Sequence, residues 1–400
     1  MNNVLYKDYK YRLYPTTDQA LYFDKCIEIS NWVYNWALTI EEEQYKLFKD
    51  GKSNIGFIKE FELDKLLTEL RKKNEVLASI PVTVERGAIR DLINAYNNYF
   101  NSHNSDSRFI FNHPVYKSES NKSNSFYIRP ERFYIDHDRI RVNGLPMFEM
   151  VYVGFDTGFV KEFRNYENTR ISKDIFNNFW ITFSIRMEPH VLQIPQSEPI
   201  GIDINSRKDS RIVLSNGFRF EEPLELERAI VGVRDSSIEL GFYNKRRYEF
   251  EKQNPGEILP QTANELKTLD KFRKRNAHMS NITKTFYHTA IKQIIMTNPK
   301  GIVIEDLNVI GMLKDHYVAD DIFHACFGLF KEIMVYETAR YNIPLFLAPP
   351  EFKSTKICSN CGYIHEKFTT HQIFICPNCK LRIDRDLNAA INLKQLYFGK

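Results

Sequence analysis

Strand-like alternation and helix-like spacing take turns along this chain. Residues Tyr9 to Tyr14 alternate as a strand does and stop at Pro15. From Asp18 the apolar positions move to steps of three and four, through Leu21, Cys26, Ile27, Val33, Trp36, Ala37 and Ile40, which is one face of a helix. The polar run Lys49-Asp50-Gly51-Lys52 ends it. A second helix is predicted over Phe57 to Lys73. A third starts at Pro81, a residue suited to a first helical turn, and passes through Val84, Ala88, Leu92, Ala95, Tyr96 and Tyr99.

The Ser/Asn/Asp-rich stretch Asn101 to Arg108 reads as a boundary, after which the period drops to two. Arg139 to Val142 and Met147 to Met150 flank Asn143-Gly144, a hairpin signal. Trp180, Thr182, Ser184 and Arg186 then interleave with Ile181, Phe183, Ile185 and Met187. Residues 109–191 are therefore expected to form a β-rich unit, a small barrel that recruits the first strand across the helical insertion. Pro195 to Pro199 reads as a linker, and no internal repeat is evident.

Beyond the linker, Ile200-Gly201-Ile202-Asp203-Ile204 is a short apolar strand with a carboxylate inside it. Arg211 to Leu214, a Ser215-Asn216-Gly217 turn and Phe218 to Phe220 supply two more strands. A long, charged, mostly helical stretch runs to Pro299. Gly301-Ile302-Val303-Ile304-Glu305 is a buried type of strand, and helix follows. Three strands, helix, strand, helix is the order an RNase H-like domain requires.

Within that order the acidic residues change the picture. A carboxylate in an apolar strand is costly unless it is paired, protonated or coordinating a cation. Hydrolysis of a phosphodiester with two divalent ions about 3.5–4 Å apart needs several convergent carboxylates, and Mg2+ suits oxygen ligands. Asp203 and Glu305 are candidates, although each taken alone reads equally as a strand-end residue. A third acidic place is Asp384-Arg385-Asp386, ahead of the helical Leu387-Asn388-Ala389-Ala390-Ile391-Asn392-Leu393, where either aspartate could instead favour the helix N-terminus.

Composition adds bounds rather than an answer. Of 400 residues 43% are hydrophobic and 26% charged, which fits a globular protein of two or three domains. No apolar run reaches the roughly 18–20 residues that span a bilayer and the first ten residues are polar, so no membrane is expected and the cytoplasm is the default compartment. The net charge of +4 is too mild to announce phosphate binding by itself, though Asn244 to Arg247 and Lys271 to Arg275 are locally basic. Cys26 and Cys326 read as buried filler.

The other four of the six cysteines form Cys358-x2-Cys361-x14-Cys376-x2-Cys379. Each pair lets two thiolates reach one ion, and two pairs complete a tetrahedral four-sulfur shell for Zn2+. A closed shell makes the metal structural, and leaves His365 and His371, inside the loop, as exposed polar residues.

These motifs together resemble the TnpB family, proteins encoded by insertion sequences and related to the compact type V CRISPR effectors. Gly201-Ile202-Asp203, Val303-Ile304-Glu305-Asp306-Leu307-Asn308-Val309, and the Cys358-Ser359-Asn360-Cys361-Gly362 ribbon leading into Asp384-Arg385-Asp386-Leu387-Asn388-Ala389-Ala390 carry the likeness. So do Tyr9-Lys10-Tyr11-Arg12-Leu13-Tyr14-Pro15 with Gln19, Val33 to Leu38, Arg90 to Tyr96, and Pro114 to Lys117. Asn205 stands where the family commonly has Gly, and Lys380 where it usually has Gly after the second knuckle.

The resemblance implies an α/β multidomain fold. Residues 1–17 and 105–195 would form a wedge-type β-barrel, and 18–104 a helical recognition domain inserted in it. Residues 196–356 and 381–400 would form a RuvC-like nuclease domain, interrupted by a zinc ribbon at 357–380. It further implies a transposon-derived guide RNA, target double-stranded DNA and a short target-adjacent motif read by protein; the sequence does not give the oligomeric state, a monomer being favoured. Catalysis would fall to Asp203, Glu305 and Asp386 with two Mg2+ ions, Asp386 being taken over Asp384 because it directly precedes Leu-Asn-Ala-Ala. The activity implied is RNA-guided DNA cleavage. A nuclease-inactive RNA-guided DNA-binding regulator is the alternative reading, and a zinc-ribbon DNA-binding protein without a guide the third.

Overall fold

The structure, a computed structural model, describes residues 5–104, 111–119, 121–129, 133–136, 139–142, 148–152, 166–307, 309–314, 319–365 and 372–399. The chain divides into two compact units, Met1–Met187 and Glu188–Lys400.

The first unit opens with β1 (Leu5–Tyr14) and α1 (Thr17–Lys49). Thr16 accepts from the Gln19 amide and Gln19 reaches back to the Thr16 N–H at 2.8 Å, a reciprocal cap that fixes where α1 starts. One face of α1 is buried, through Phe23, Cys26, Ile27, Val33, Tyr34, Ala37 and Leu38. The helix stops at Asp50, and Gly51 follows with φ +68°.

Next come α2 (Glu60–Lys72), α3 (Glu75–Ala78) and α4 (Val82–Asn104). The predicted start of α2 at Phe57 is three residues early. Phe57 instead packs edge-on against Tyr96 and Phe100, and the Ile58 N–H is spent on Glu41 Oε2 at 3.1 Å. The single turn α3 was not foreseen. It is capped by Asn74, which accepts from the Leu77 amide.

Seven strands complete this unit: β1 with β2 (Ser125–Ile128), β3 (Phe133–Asp136), β4 (Arg139–Val142), β5 (Phe148–Tyr152), β6 (Tyr166–Lys173) and β7 (Phe179–Met187). Their order is β2-β6-β7-β1-β5-β4-β3, every pairing antiparallel. The first strand is thus drawn between β7 and β5, across the helical insertion. Along β7, Phe179, Ile181, Phe183 and Ile185 are buried and alternate with Trp180, Thr182 and Ser184. The anticipated hairpin strands pair, Ile140 opposite Phe148, while the Asn143-Gly144 turn lies outside the described residues.

The expected barrel is not closed. Among the described residues the sheet is open, with β2 and β3 as its edges, and helices α1 and α4 pack against β2.

The second unit is built on a five-stranded sheet of β8 (Ile200–Ile204), β9 (Ile212–Leu214), β10 (Arg219–Phe220), β11 (Ile302–Glu305) and β12 (Leu345–Ala348). Its order is β10-β9-β8-β11-β12; β8, β11 and β12 run parallel, and β9 and β10 antiparallel. Two long helices, α5 (Leu224–Gln253) and α6 (Ala263–Ile295), join β10 to β11. Three more, α7 (Val309–Met312), α8 (Ala319–Ala325) and α9 (Phe327–Arg340), join β11 to β12. The strand β12 was not anticipated.

The ribbon hairpin β13 (Ile373–Ile375) and β14 (Arg382–Asp384) then leads into α10 (Arg385–Phe398). Cys26 is buried as expected. Cys326 is only half-buried: it sits at the start of α9 with φ +50°, and its thiol donates to the Phe323 carbonyl at 3.4 Å. No helix among the described residues is long and apolar enough to cross a membrane.

Side-chain parity decides what each face of this second sheet does. Ile200, Ile202 and Ile204 on β8, with Ile302 and Ile304 on β11, join the core shared with Tyr287, Ile291, Phe330 and Met334. The alternate residues Val303 and Ala348 pack with Leu393 of α10. Gly201 and Asp203 share that second face, as does Glu305, so the pleat points both strand carboxylates toward α10.

Candidate active site

Asp203 is 4% exposed at the middle of the sheet. Its carboxyl is held well above the ordinary range, first by burial, then by the charges of Glu305 and Asp386. Two acids far from it in sequence therefore lie near enough to act on Asp203. Glu305, at the end of β11, is also raised by burial, against which the Ser354 hydroxyl donates to its Oε1. Asp386 is 1% exposed in the first turn of α10.

The two aspartates the sequence left open have separate jobs. Asp384 is the N-cap of α10, accepting from the Asp386 and Leu387 amides, each at 3.0 Å, and pairing with Arg219 at 3.1 Å. Burial works against its charge, but those amides and the arginine outweigh it and hold the carboxyl below its usual value. Asp386 is left to face Asp203. It is met by Arg207 at 3.1 Å, by Arg385 at 3.2 Å and by the Ser210 hydroxyl at 3.4 Å.

The loop after β8 supplies donors the sequence gave no reason to single out. Asn205, in place of the family's common glycine, needs no left-handed backbone; its amide donates to Asp203 Oδ2 and to the Ser210 carbonyl, both at 3.1 Å. Gly201 has a stricter role. A Cβ there would lie 2.0 Å from the Ala390 carbonyl oxygen and 2.5 Å from the Lys394 nitrogen. Only glycine lets α10 rest this close to β8.

The four thiols of Cys358, Cys361, Cys376 and Cys379 gather within 4.8 Å of one another. The Sγ atoms of Cys358 and Cys379 are 3.6 Å apart, as are those of Cys361 and Cys376. A tetrahedral ion with sulfur at 2.3 Å requires edges of about 3.8 Å, so the donor set fits Zn2+. The Tyr363 N–H is the main cause of a Cys361 thiol lowered to about 6. Lys380 takes φ +63°, the glycine-like conformation its position demands, and its N–H donates to Cys376 O at 3.0 Å. His365 is half-buried rather than exposed, packed edge-on against Tyr363 and Phe374, and His371 lies outside the described residues.

Among the described residues the thiols are the only such tight set. The three carboxylates stand more loosely, yet close enough for two of them to shift the third. Like charges gathered in a buried place are the chemistry a divalent cation relieves, and two ions about 3.5–4 Å apart require ligands spread over both.

Comparison with known proteins points the same way. Residues 327–393 match the model described as "Cas12f1-like, TNB domain", and residues 1–50 a "Helix-turn-helix domain" of the OrfB/IS605 type. A protein of Streptomyces pristinaespiralis named "Putative RNA-guided DNA endonuclease" is 23% identical over 395 residues, covering 96% of this chain and 88% of that one. The chain is TnpB-like. A solved Cas12f1–sgRNA–target DNA complex shares the fold at TM-score 0.54 and 14% identity, over 95% of this TnpB-like chain and 83% of that one. The stretch matched as helix-turn-helix consists, in this TnpB-like chain, of β1 and the single helix α1.

Proposed function

We propose that the protein is an RNA-guided endonuclease that hydrolyses phosphodiester bonds of target DNA, transposon-associated, at an RNase H-like, RuvC-type site. The observation that carries this reading is the burial of Asp203 facing Glu305 and Asp386 on the α10 side of the sheet. The strand order with its antiparallel β9 and β10 supports it, as do the name of the Streptomyces relative and the guide and target in the Cas12f1 complex.

In this reading Asp203, Glu305 and Asp386 hold two Mg2+ ions, which when bound activate water and stabilise the leaving oxygen. Asp203, whose carboxyl burial and its acidic neighbours hold well above the ordinary range, would serve as a ligand in its ionised form. Arg207 and Arg385, at 3.1 and 3.2 Å, orient Asp386. Cys358, Cys361, Cys376 and Cys379 hold Zn2+, which keeps the ribbon folded. Base pairing with a guide RNA reads the sequence, while Lys and Arg grip the backbone. In the first unit a cavity of about 370 Å³, lined by Arg90, Asn94, Tyr127, Asn168 and Arg170, offers donors to nucleic acid.

The domain reading follows. Residues 18–104 are the recognition insertion within 1–17 and 105–195, and 357–380 are the ribbon within a nuclease made of 196–356 and 381–400.

The test is cleavage of a plasmid that carries a match to the copurifying RNA, in Mg2+, by the protein and by Asp203→Ala. Loss of cutting with retained RNA-dependent DNA binding is expected. Equal cutting by both refutes the site. Tight guide-dependent binding with no Mg2+-dependent product from the unaltered protein would make it a regulator instead.

A further inference from the structure

Between β12 and the first cysteine knuckle the chain runs as a strap, residues 354–359, whose backbone is gripped along its length by one face of α10. Asn392 donates to the Ser354 carbonyl at 2.8 Å and to the Ile357 carbonyl at 2.6 Å. Asn388, one turn earlier, donates to the same Ile357 carbonyl at 2.7 Å and accepts from the Ser359 N–H at 2.9 Å. Gln395 adds a bond to the Ser359 carbonyl at 3.1 Å. Asn388, Asn392 and Ser354 are all buried, at 0%, 3% and 2% exposure. Positions 388, 392 and 395 lie on one face of a helix.

The strap has chemistry at both ends. Cys358 stands inside it, between the Ile357 carbonyl and the Ser359 amide that the two asparagines hold. At the other end the Ser354 hydroxyl commits its single proton to Glu305 Oε1. A buried amide left without its partner is costly, so the strap and the helix face hold each other in one arrangement. The helix that grips the strap is also the one whose first turn carries Asp386.

We propose that Ser354 is a positioning residue for Glu305, and that Asn388 and Asn392 join it to the first cysteine knuckle, so that the folded ribbon sets the orientation of a nuclease carboxylate. The ribbon is then part of the machinery that prepares the metal site, besides any contact it makes with DNA. This rests on the nuclease reading above. Groups that orient a metal ligand from behind change metal affinity or activity by about 10–100-fold when removed.

The experiment uses the full chain with its guide RNA. Two readouts are taken, the Mg2+ concentration for half-maximal cleavage and Fe2+-directed scission of the protein backbone, which reports an ion at the site independently of DNA cutting. Ser354→Ala is expected to raise the Mg2+ requirement about 10–100-fold and to weaken scission beside residue 305. Its zinc content and melting temperature should be unchanged. Ser354→Thr, which keeps the hydroxyl, is expected to restore both readouts. Asn392→Ala is expected to move the Mg2+ requirement in the same direction.

A Ser354→Ala protein with the unaltered Mg2+ requirement and scission pattern overturns the inference, as does an Asn392→Ala that only melts earlier. Asp203→Ala run alongside separates the two claims. If it cuts normally the nuclease reading fails. If it is dead while Ser354→Ala is unaltered, only the positioning role fails.

Discussion

Both units bury carboxylates, and they do so in opposite ways. In the first, Glu41 and Glu85 are each 0% exposed, and burial is the main cause that raises them to about 6 and about 7. Each has its own private partner. Glu41 accepts the Ile58 N–H, and Glu85 pairs with Arg71, which also donates to the Leu77 carbonyl at 2.8 Å and the Ile80 carbonyl at 3.2 Å. Neither is raised by another acid. In the second unit Asp203 is raised by burial and by two other carboxylates. A buried acid with one partner fastens structure; buried acids that repel one another would, in the nuclease reading proposed above, hold a cation. Mutual repulsion, not burial, separates the two.

Substitutions test that contrast in descending order of effect. Asp203→Asn is expected to lower guide-directed cleavage by at least about a thousandfold. Because Asn matches the size of the carboxyl and cannot ionise beside Glu305 and Asp386, the melting temperature in the absence of Mg2+ should stay or rise; a fall would mean that Asp203 fastens structure as Glu85 does.

Arg71→Ala is expected to cost about 3–5 kcal/mol in denaturant unfolding, since it strands Glu85 without its partner. Cleavage per folded molecule should be unchanged. A loss under about 1 kcal/mol would deny Glu85 its fastening role.

The smallest effect is a pH slope. Glu41 has a folded value of about 6, above its usual 4.5, so the folded state binds its proton more tightly than the unfolded one. The stability this gives is full below about 4.5 and is lost as the pH rises through about 6, in total about 1–2 kcal/mol. Glu41→Gln should flatten that slope in melting curves taken from pH 4 to 8.

What the sequence disclosed depended on how local the signal was. The cysteine spacing is self-contained, and the thiols gather as it required. The central strands β8 and β11 were legible because strands buried on both faces are almost continuously apolar. Strand β12 was missed because Leu345-Phe346-Leu347-Ala348 is only four residues long and lies between Pro344 and Pro349, which read as loop punctuation. Asp384 and Asp386 could not be told apart by propensity, as either suits a helix start; the amide geometry of the first turn divides them. Asn388 and Asn392 passed as motif polar residues, although their spacing by four, with Gln395 following on the same face, was a signal that they meet something in common. Among the described residues the barrel does not close, for a reason no alternation pattern contains, since periodicity fixes which face of a strand is buried and not which strand lies beside it.

The missing side chain at position 201 has a consequence that reaches past its own strand. The hydrogen there is the gauge between β8 and α10, and Asp203 stands two residues further along the strand while Asp386 stands one helical turn before Ala390. Even a single methyl group would wedge the helix outward and widen the separation of Asp203 and Asp386 without altering an atom of either. The tolerance of the chemistry is thus set by the smallest residue in its neighbourhood, one that takes no part in it.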